Sequence, residues 1–462
     1  MISFSFEVHQ PFRLCNSNKK ILEKVAKKCY IPATKIILDN LDRGFKCSFS
    51  LSGLLVEQLE MWCKEALELF QECAKHKNCE FLAQTYFHSI SSLFSIKEFE
   101  EQVKMHKNML KEKFGVKPEV FENTELIFNK DVASSAHRMG FKAIYAEGCN
   151  ALLNGKSPNF VYRCGKIKVL VRNYQLSDDI AFRFSCKSWN EYPLTAEKYA
   201  EWLSKTPRDC INIFIDYETF GEHHWKESGI LEFLKYLPEE CESKGIKFAL
   251  PSEIAKIKDR GELKCDKTTS WADLEKDISA WAGNEMQKSA IRAIRDAEIY
   301  AIDEKSKRKW RILQTSDHFY YMSTKSGSCG EVHSYFSQSD PYTAFEIYMK
   351  TLNSFEENVL SKMPENKRKK ILRILRTVPP EKAFHFFEDG KYICSAYSLS
   401  EFAEKLKGIS GKCIEEHKKR GDFENWIAEV VGDKELAEKL SNVHSPVDVV
   451  FERVCELWKR LK

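Results

Sequence analysis

The chain lacks several features that would assign it quickly to a class. No stretch approaches the roughly 18–20 consecutive apolar residues that span a bilayer, which excludes a transmembrane helix. No strong bias of charge is present either. A net charge of +4 over 462 residues, with acidic and basic positions interleaved, makes no case for nucleic acid or a membrane surface as partner. Sixteen cysteines occur but none as Cys-x-x-Cys; Cys73 and Cys79 come nearest. Zinc-ribbon spacing and a redox dithiol are thereby excluded. Scattered cysteines in a chain this long are expected reduced and buried, which suits a reducing cytoplasm. The opening "MISFSFEVHQPF" has no basic leader, long apolar core or small-residue cleavage site, so it reads as a strand at the start of the mature protein.

What is present is an alternation of short apolar runs with helical patterns through the first 260 residues. The runs are 2–9, 46–52, 79–89, 118–125, 142–148, 212–218 and 247–253. Helix-like segments such as 54–76 and 96–113 lie between them. Strand–helix alternation of this kind predicts a parallel sheet with covering helices, and seven repeats suit a barrel-like α/β fold. Segment 159–186 differs: "NFVYRCGKIKVLVRNY" reads as a hairpin turning at Gly165-Lys166, inserted into the series. From 271 to about 378 apolar residues recur at helical spacing, predicting a bundle. "TVPP" at 377–380 breaks it, since proline lacks a donor and constrains its predecessor. The remainder reads as a mostly helical appendage, with serine caps in "YSLSEFAEKLKGIS". The expected domains are 1–265, 266–378 and 379–462.

The ends of the apolar runs carry the chemistry. They are His9-Gln10, His88-Ser89, Thr124-Glu125, Glu147-Gly148, Asp216-Tyr217-Glu218 and Ser252-Glu253. In a parallel barrel the carboxyl ends of the strands share one face, so these six groups are expected to converge there. Asp216 directly follows "INIFI". A carboxyl there is partly desolvated and close to a second anion, and both effects favour its protonated form. Glu218, two residues on, shares its face in an extended chain. Glu122 falls on the strand face opposite Glu125.

The run-end motifs resemble glycoside hydrolase family 57, most closely its α-amylase-type members. "VHQPFR" (8–13), "CEFLAQTYFHSI" (79–90), "VFENTELIFN" (120–129), "FIDYETFGEHHW" (214–225) and "SWADLEKDISAWAGNEMQ" (270–287) are similar to its five signatures. "TSDHFYYMSTK" (315–325) and the stretch 333–349 also look like family text. The resemblance implies an incomplete (β/α)7 barrel followed by a helical bundle and a small mostly helical domain. It implies retaining cleavage of α-1,4-glucan linkages, with Glu125 as nucleophile and Asp216 as general acid/base, and no cofactor or metal. Transfer between glucans by the same two carboxylates is the alternative outcome. His9, Gln10, His88, Glu218, His224, Trp225, Trp271, Asp317 and His318 complete the expected substrate site. The imidazoles would orient sugar hydroxyls, and the two indoles would stack on sugar rings. A metal-dependent polysaccharide deacetylase would need an aspartate and two closely spaced histidines. No His-x-x-x-His occurs, and adjacent His223 and His224 point apart.

Overall fold

The computed structural model describes residues 1–12, 14, 18–325, 340–443 and 445–461. Arg13 of the 8–13 motif, and 326–339 with the first part of the 333–349 motif, lie outside the described residues. The chain forms two compact units, residues 1–278 and 279–462.

Eight strands form the sheet of the first unit: β1 (Ile2–Val8), β2 (Cys47–Leu51), β3 (Cys79–Phe81), β4 (Val120–Phe121), β5 (Ala143–Glu147), β6 (Val161–Cys164), β7 (Ile167–Arg172) and β8 (Ile211–Asp216). Seven of them follow the parallel path β3-β2-β1-β8-β7-β5-β4, and β6 pairs antiparallel with β7 off that path. The two ends of the path meet just beyond β3, where Ala83 bridges Phe121. Ala83 N–H donates to the Val120 carbonyl at 3.1 Å, and Glu122 N–H to the Ala83 carbonyl at 2.9 Å. The sheet thus curls into the incomplete (β/α)7 barrel that the sequence pattern predicts.

Period-two alternation divides each strand between two environments. In β1, Ile2, Phe4, Phe6 and Val8 join a large apolar cluster shared with the helices. Ser3, Ser5 and Glu7 face the other way, and all three are buried. The hydroxyls of Ser3 and Ser5 lie 3.0 and 2.8 Å from that of Tyr145, and Ser48 donates to Ser5 at 2.7 Å. Val120, Leu170 and Phe214 pack around Tyr145 in the same interior. Buried polar groups therefore find one another within the barrel, as their desolvation requires.

Two expectations are corrected. The 159–186 hairpin turns at Gly165 (φ 59°), but it is no insertion, because β7 occupies the place between β5 and β8. Ile167, Val169 and Val171 face the outer core, and Leu170 faces the interior, so both faces of β7 are buried. The run 247–253 is not a strand of the barrel. It bridges β1 only at Ile2–Phe248 before helix Pro251–Ile254 begins. Ser252 and Glu253 consequently lie near the amino ends of the strands, away from the expected rim. Ser252 N–H donates to Glu80 at 2.9 Å, and Glu253 pairs with Lys46, one residue ahead of β2, at 2.7 Å.

The second unit contains the long helix Pro341–Lys362 and a hairpin, Phe384–Glu388 with Lys391–Ala396. Phe384, Phe386, Phe402, Phe423 and Trp426 form the centre of its aromatic core. Ser398 caps Leu399–Gly408 by accepting from Glu401 N–H. Among the described residues no helix is long and apolar enough to cross a membrane.

The seam between β7 and β8 carries one register pair, Arg172–Asn212. The buried Arg172 side chain reinforces it, donating to the Phe214 carbonyl at 2.6 Å, to Glu147 at 2.9 Å and to Asp178 at 2.7 Å. Substituting Arg172→Met strands the buried Glu147 carboxyl, and breaking such a pair costs about 3–5 kcal/mol. Chemical denaturation of the variant is expected to show a loss of that order; a loss below about 1 kcal/mol would mean that the seam does not depend on the guanidinium.

Candidate functional site

Asp216, Glu147 and Arg172 end three strands, Glu7 stands one residue before the end of β1, and Glu122 follows β4. Glu7 and Asp216 stand in register on adjacent strands, so they face the same side. Glu7 accepts from Gln84 Nε2 at 3.0 Å, and Glu122 from Ser50 Oγ at 2.9 Å. Glu147 takes Arg172, with Lys276 at 3.7 Å. This end of the barrel thus gathers carboxyl groups that the sequence scatters over more than 200 positions.

Glu125 sits in a tight turn, Thr124–Leu126, just past β4. Its backbone is left-handed (φ 62°, ψ 21°), a conformation that costs a non-glycine residue on the order of 1 kcal/mol and persists only where surroundings impose it. Thr124 and Thr85 hydroxyls meet at 2.7 Å, and Asn123 Nδ2 donates to the Ile127 carbonyl at 2.8 Å. Trp271 grips the residue twice: its backbone N–H donates to the Glu125 carbonyl at 3.2 Å, and its indole Nε1 to Oε2 at 2.8 Å. The other carboxylate oxygen, Oε1, faces His88 Nε2 at 3.7 Å. The Glu125 side chain keeps 17% of its surface exposed, against 5% for His88. The turn also corrects the expectation that Glu122 and Glu125 occupy opposite faces. β4 ends at Phe121 and Glu125 lies in the left-handed turn, so the strand alternation behind that expectation does not reach it.

His88 is left-handed as well (φ 48°). Its Nδ1 lies 3.0 Å from Gln84 Oε1 and 3.5 Å from Glu7 Oε1. His9 stacks on its ring at 4.0 Å, with its own Nδ1 2.7 Å from Ser52 Oγ. The two expected imidazoles therefore form one unit beside Glu125.

Asp216 is half-buried at the end of β8. Phe214, two residues earlier on the same face, packs on Trp271 at 5.8 Å between ring centroids. One indole thus touches both the expected nucleophile and the strand that carries the expected acid. The chain does not stay extended after Asp216. A turn at Tyr217–Thr219 sends Glu218 into a buried site, where Tyr30 donates a hydrogen bond to it and Gln10 Nε2 lies at 3.4 Å. Burial, with Asp216 adding its charge, pushes the Glu218 carboxyl up to about 8. Gln10 is itself buried, and its carbonyl accepts from Gln58 at 2.9 Å.

His224 turns away from this group. Its ring nitrogens lie 2.8 Å from Ser185 Oγ and 3.0 Å from the Ala181 carbonyl, so it ties the 217–225 loop to the 181–185 segment. Trp225 follows it with 61% of its surface exposed and the Lys28 ammonium 4.6 Å from its ring centre. Gly221 (φ 129°) lets this loop lie against the backbone of Lys28, where a Cβ would come within 2.0 Å of the Lys28 carbonyl oxygen. Asp317 and His318 belong to the second unit, in the short helix Ser316–Tyr320, where the His318 ring is buried 5.9 Å from Tyr348.

Sequence reasoning missed Glu7, Gln84 and Arg172. A signal for Glu7 and Arg172 existed: each is a charged residue at an inward position of a strand whose other positions are almost all buried.

Glu218 makes stability depend on pH. Its folded-state pKa of about 8 exceeds the ordinary value of 4.5, so between those limits the folded protein holds a proton that the unfolded chain releases. Stability from this group is full in acid and falls as pH rises, by up to about 1.4 kcal/mol per pH unit. The melting temperature is expected to drop from pH 5 to pH 8.5, and Glu218→Gln to flatten that drop. Thermal unfolding of both proteins across the range checks it; parallel curves would show that the carboxyl is ionised throughout.

The chain matches the model of glycosyl hydrolase family 57 over residues 3–266. A protein of Methanocaldococcus jannaschii named "Putative alpha-amylase" is 44% identical over 392 residues, covering 77% of this chain and 84% of that one. Among solved structures, the 4-alpha-glucanotransferase of Thermococcus litoralis superposes with a TM-score of 0.60 at 15% identity, over 85% of this chain but only 64% of that longer one. The family 57-type branching enzyme of Pyrococcus horikoshii gives 0.59 at 15% identity, over 80% and 92% of the two chains. At such identities the superpositions show a shared fold, while the family model and the archaeal relative show descent. The chain belongs to glycosyl hydrolase family 57.

Proposed function

We propose that the protein is an α-amylase that cleaves α-1,4-glucan linkages with retention, through a covalent glycosyl-enzyme intermediate. The observation that carries this reading is the hold on Glu125. A partly exposed carboxylate is fixed through one oxygen by the Trp271 indole, and its second oxygen faces His88 at 3.7 Å. A nucleophile needs this combination of fixed direction and access. Trp271 also rests on β8, which ends at Asp216. That supports a cleft in which one acid attacks the anomeric carbon while the other protonates the departing oxygen.

In the first half of the reaction Glu125 Oε1 or Oε2 attacks the anomeric carbon and Asp216 gives its proton to the leaving glucan. In the second half Asp216 takes a proton from water, which displaces Glu125 with a second inversion, so that configuration is retained overall. Trp271 Nε1 steadies the carboxylate before attack and as it re-forms. His9, stacked over His88, would orient a sugar hydroxyl, and exposed Trp225 would offer a flat apolar surface to the C–H face of a glucose ring farther along the glucan. The M. jannaschii relative supports amylase over the other family activities, since its match spans most of both chains.

Incubation with soluble starch is expected to release new reducing ends, with α-anomers formed first by NMR. Maltotriose should yield only shorter products; longer oligomers would replace hydrolysis by glucanotransfer. Glu125→Gln should keep its melting temperature and lose about three orders of magnitude or more in rate, as removal of a member of a catalytic unit does. Trp271→Phe keeps the ring against Phe214 but deletes the N–H. Losing a hydrogen bond to a charged group is worth about 1.5–3 kcal/mol, on the order of a tenfold to hundredfold fall in kcat. Unchanged kcat in Trp271→Phe would show that the indole does not steady the nucleophile.

A further inference from the structure

Glu7 and Glu122 are buried acids for which the two-carboxylate reaction has no direct use. Glu7 lies in β1 and Glu122 just past β4, and they meet around one hydroxyl: Ser50, the register partner of Glu7, donates to Glu122 at 2.9 Å and accepts at 2.9 Å from Gln84 Nε2, which also donates to Glu7 at 3.0 Å. Glu7 Oε2 is buried with no donor in contact, while Glu7 Oε1 takes Gln84 Nε2 and Glu122 Oε2 takes Ser50 Oγ. Two full charges at this separation, away from water, repel strongly, and a shared proton removes one charge while satisfying the bare oxygen. Among the described residues, Arg172 and Lys276 are engaged elsewhere. Arg172 is taken up by Glu147, Asp178 and the Phe214 carbonyl, and Lys276 by Glu147 and the Trp271 carbonyl.

Among the described residues, His88 faces the pair. Its Nδ1 faces Glu7 Oε1 at 3.5 Å and Gln84 Oε1 at 3.0 Å, both acceptors, so Nδ1 carries a hydrogen. Its Nε2 faces Glu125 Oε1 at 3.7 Å. A lone pair on Nε2 would oppose that carboxylate, whereas a second hydrogen would attract it. The ring is thus set between one acid pair and one carboxylate, with His9 stacked over it.

We propose that Glu7 and Glu122 act as a one-proton, one-charge pair whose negative charge keeps His88 hydrogen-bearing on both nitrogens, and that this imidazolium positions the Glu125 carboxylate for attack. Glu7 and Glu122 are then positioning residues that act through His88, and the role assigned to Glu125 rests on the glycosidase reading above. Burial raises both acids above the usual carboxylate range; the charges of Glu122 and Asp216 push Glu7 higher still, whereas for Glu122 the hydrogen bond with Glu7 and the charge of His88 work against burial and the charge of Glu125 works with it. Among the described residues, the titratable groups acting on the pair are Asp216 from β8, Glu125 from the turn after β4, and His88 from the loop after β3.

The test is nitrogen NMR of the full chain with labelled histidine, the His88 signals identified by their loss in His88→Asn. In the wild-type protein near pH 7, both His88 nitrogens should show the shifts of an imidazolium. Glu122→Gln leaves the single charge on Glu7, so the ring should stay cationic. The double substitution Glu7→Gln with Glu122→Gln removes the charge, and the ring should become neutral. In that double variant the alkaline limb of the kcat/KM profile should move down by about one pH unit, equivalent to 1.36 kcal/mol. Its kcat should fall on the order of 10- to 100-fold with little change in KM, as misplacement of a reacting group does. A neutral His88 in the wild-type protein, or a cationic one in the double variant, overturns the proposal. The NMR reading needs no turnover, so an absence of starch cleavage would count against the glycosidase reading and leave the acid pair to be judged separately.

Discussion

The guanidinium of Arg172 is the point on which the site depends. It lies where β7 and β8 share a single register pair, and it spends its donors on a carbonyl of β8, on Glu147 at the end of β5 and on Asp178 in the following helix. Its face lies 5.7 Å from the Trp271 ring centre. Trp271 in turn holds Glu125 by two hydrogen bonds. A buried cation with three acceptors in fixed directions is stiff, because any displacement leaves a charge unpaired in a dry interior. That stiffness passes from the weakest seam of the barrel to the carboxylate proposed to attack.

Acids are abundant at this end of the barrel. Glu7, Glu122, Glu125, Asp216 and Glu218 crowd the carboxyl ends of the strands, where Gln84 donates to Glu7, Ser50 to Glu122, Trp271 to Glu125 and Tyr30 to Glu218. Burial keeps Glu218 protonated through neutral pH, and the Glu7–Glu122 pair escapes double charge by sharing a proton. The protein thus sets carboxyl groups of unlike proton affinity at one end of the barrel, the arrangement that the proposed acid and nucleophile chemistry would use. Backbone strain collects at the same place. His88 and Glu125, facing each other, are both left-handed, and threonine and asparagine hydrogen bonds hold the turn of Glu125 in that shape.

Much of the fold was legible because local burial writes a period into a strand. "ISFSFEV" alternates ring or aliphatic side chains with small or acidic ones, and the structure sends the first set to the helices and the second into the barrel. The same reasoning misplaced two runs. The 167–172 strand looked like half of an inserted hairpin because a two-residue turn joins it to β6, and only pairing with β5 and β8 shows that it is structural. The 247–253 run looked like a strand, yet Pro251 opens a helix after a single bridge. His224 shows the same limit at the site. It stands in the motif beside Trp225, and its hydrogen bonds to 181–185 make it a fastener for the loop.

By itself the sequence determined which side chains were available: two carboxyl groups at apolar run ends, histidines after two strands, and an alternation that forces polar groups inward. Those properties come from short-range steric preference and from burial, which are local. The tertiary structure alone decided that Trp271 reaches Glu125 across 146 residues, that Glu125 adopts a left-handed turn, and that Glu7 and Glu122 meet around Ser50 and Gln84. Such meetings are set by strand register and by closure of the sheet, and no local pattern carries the free energy of either.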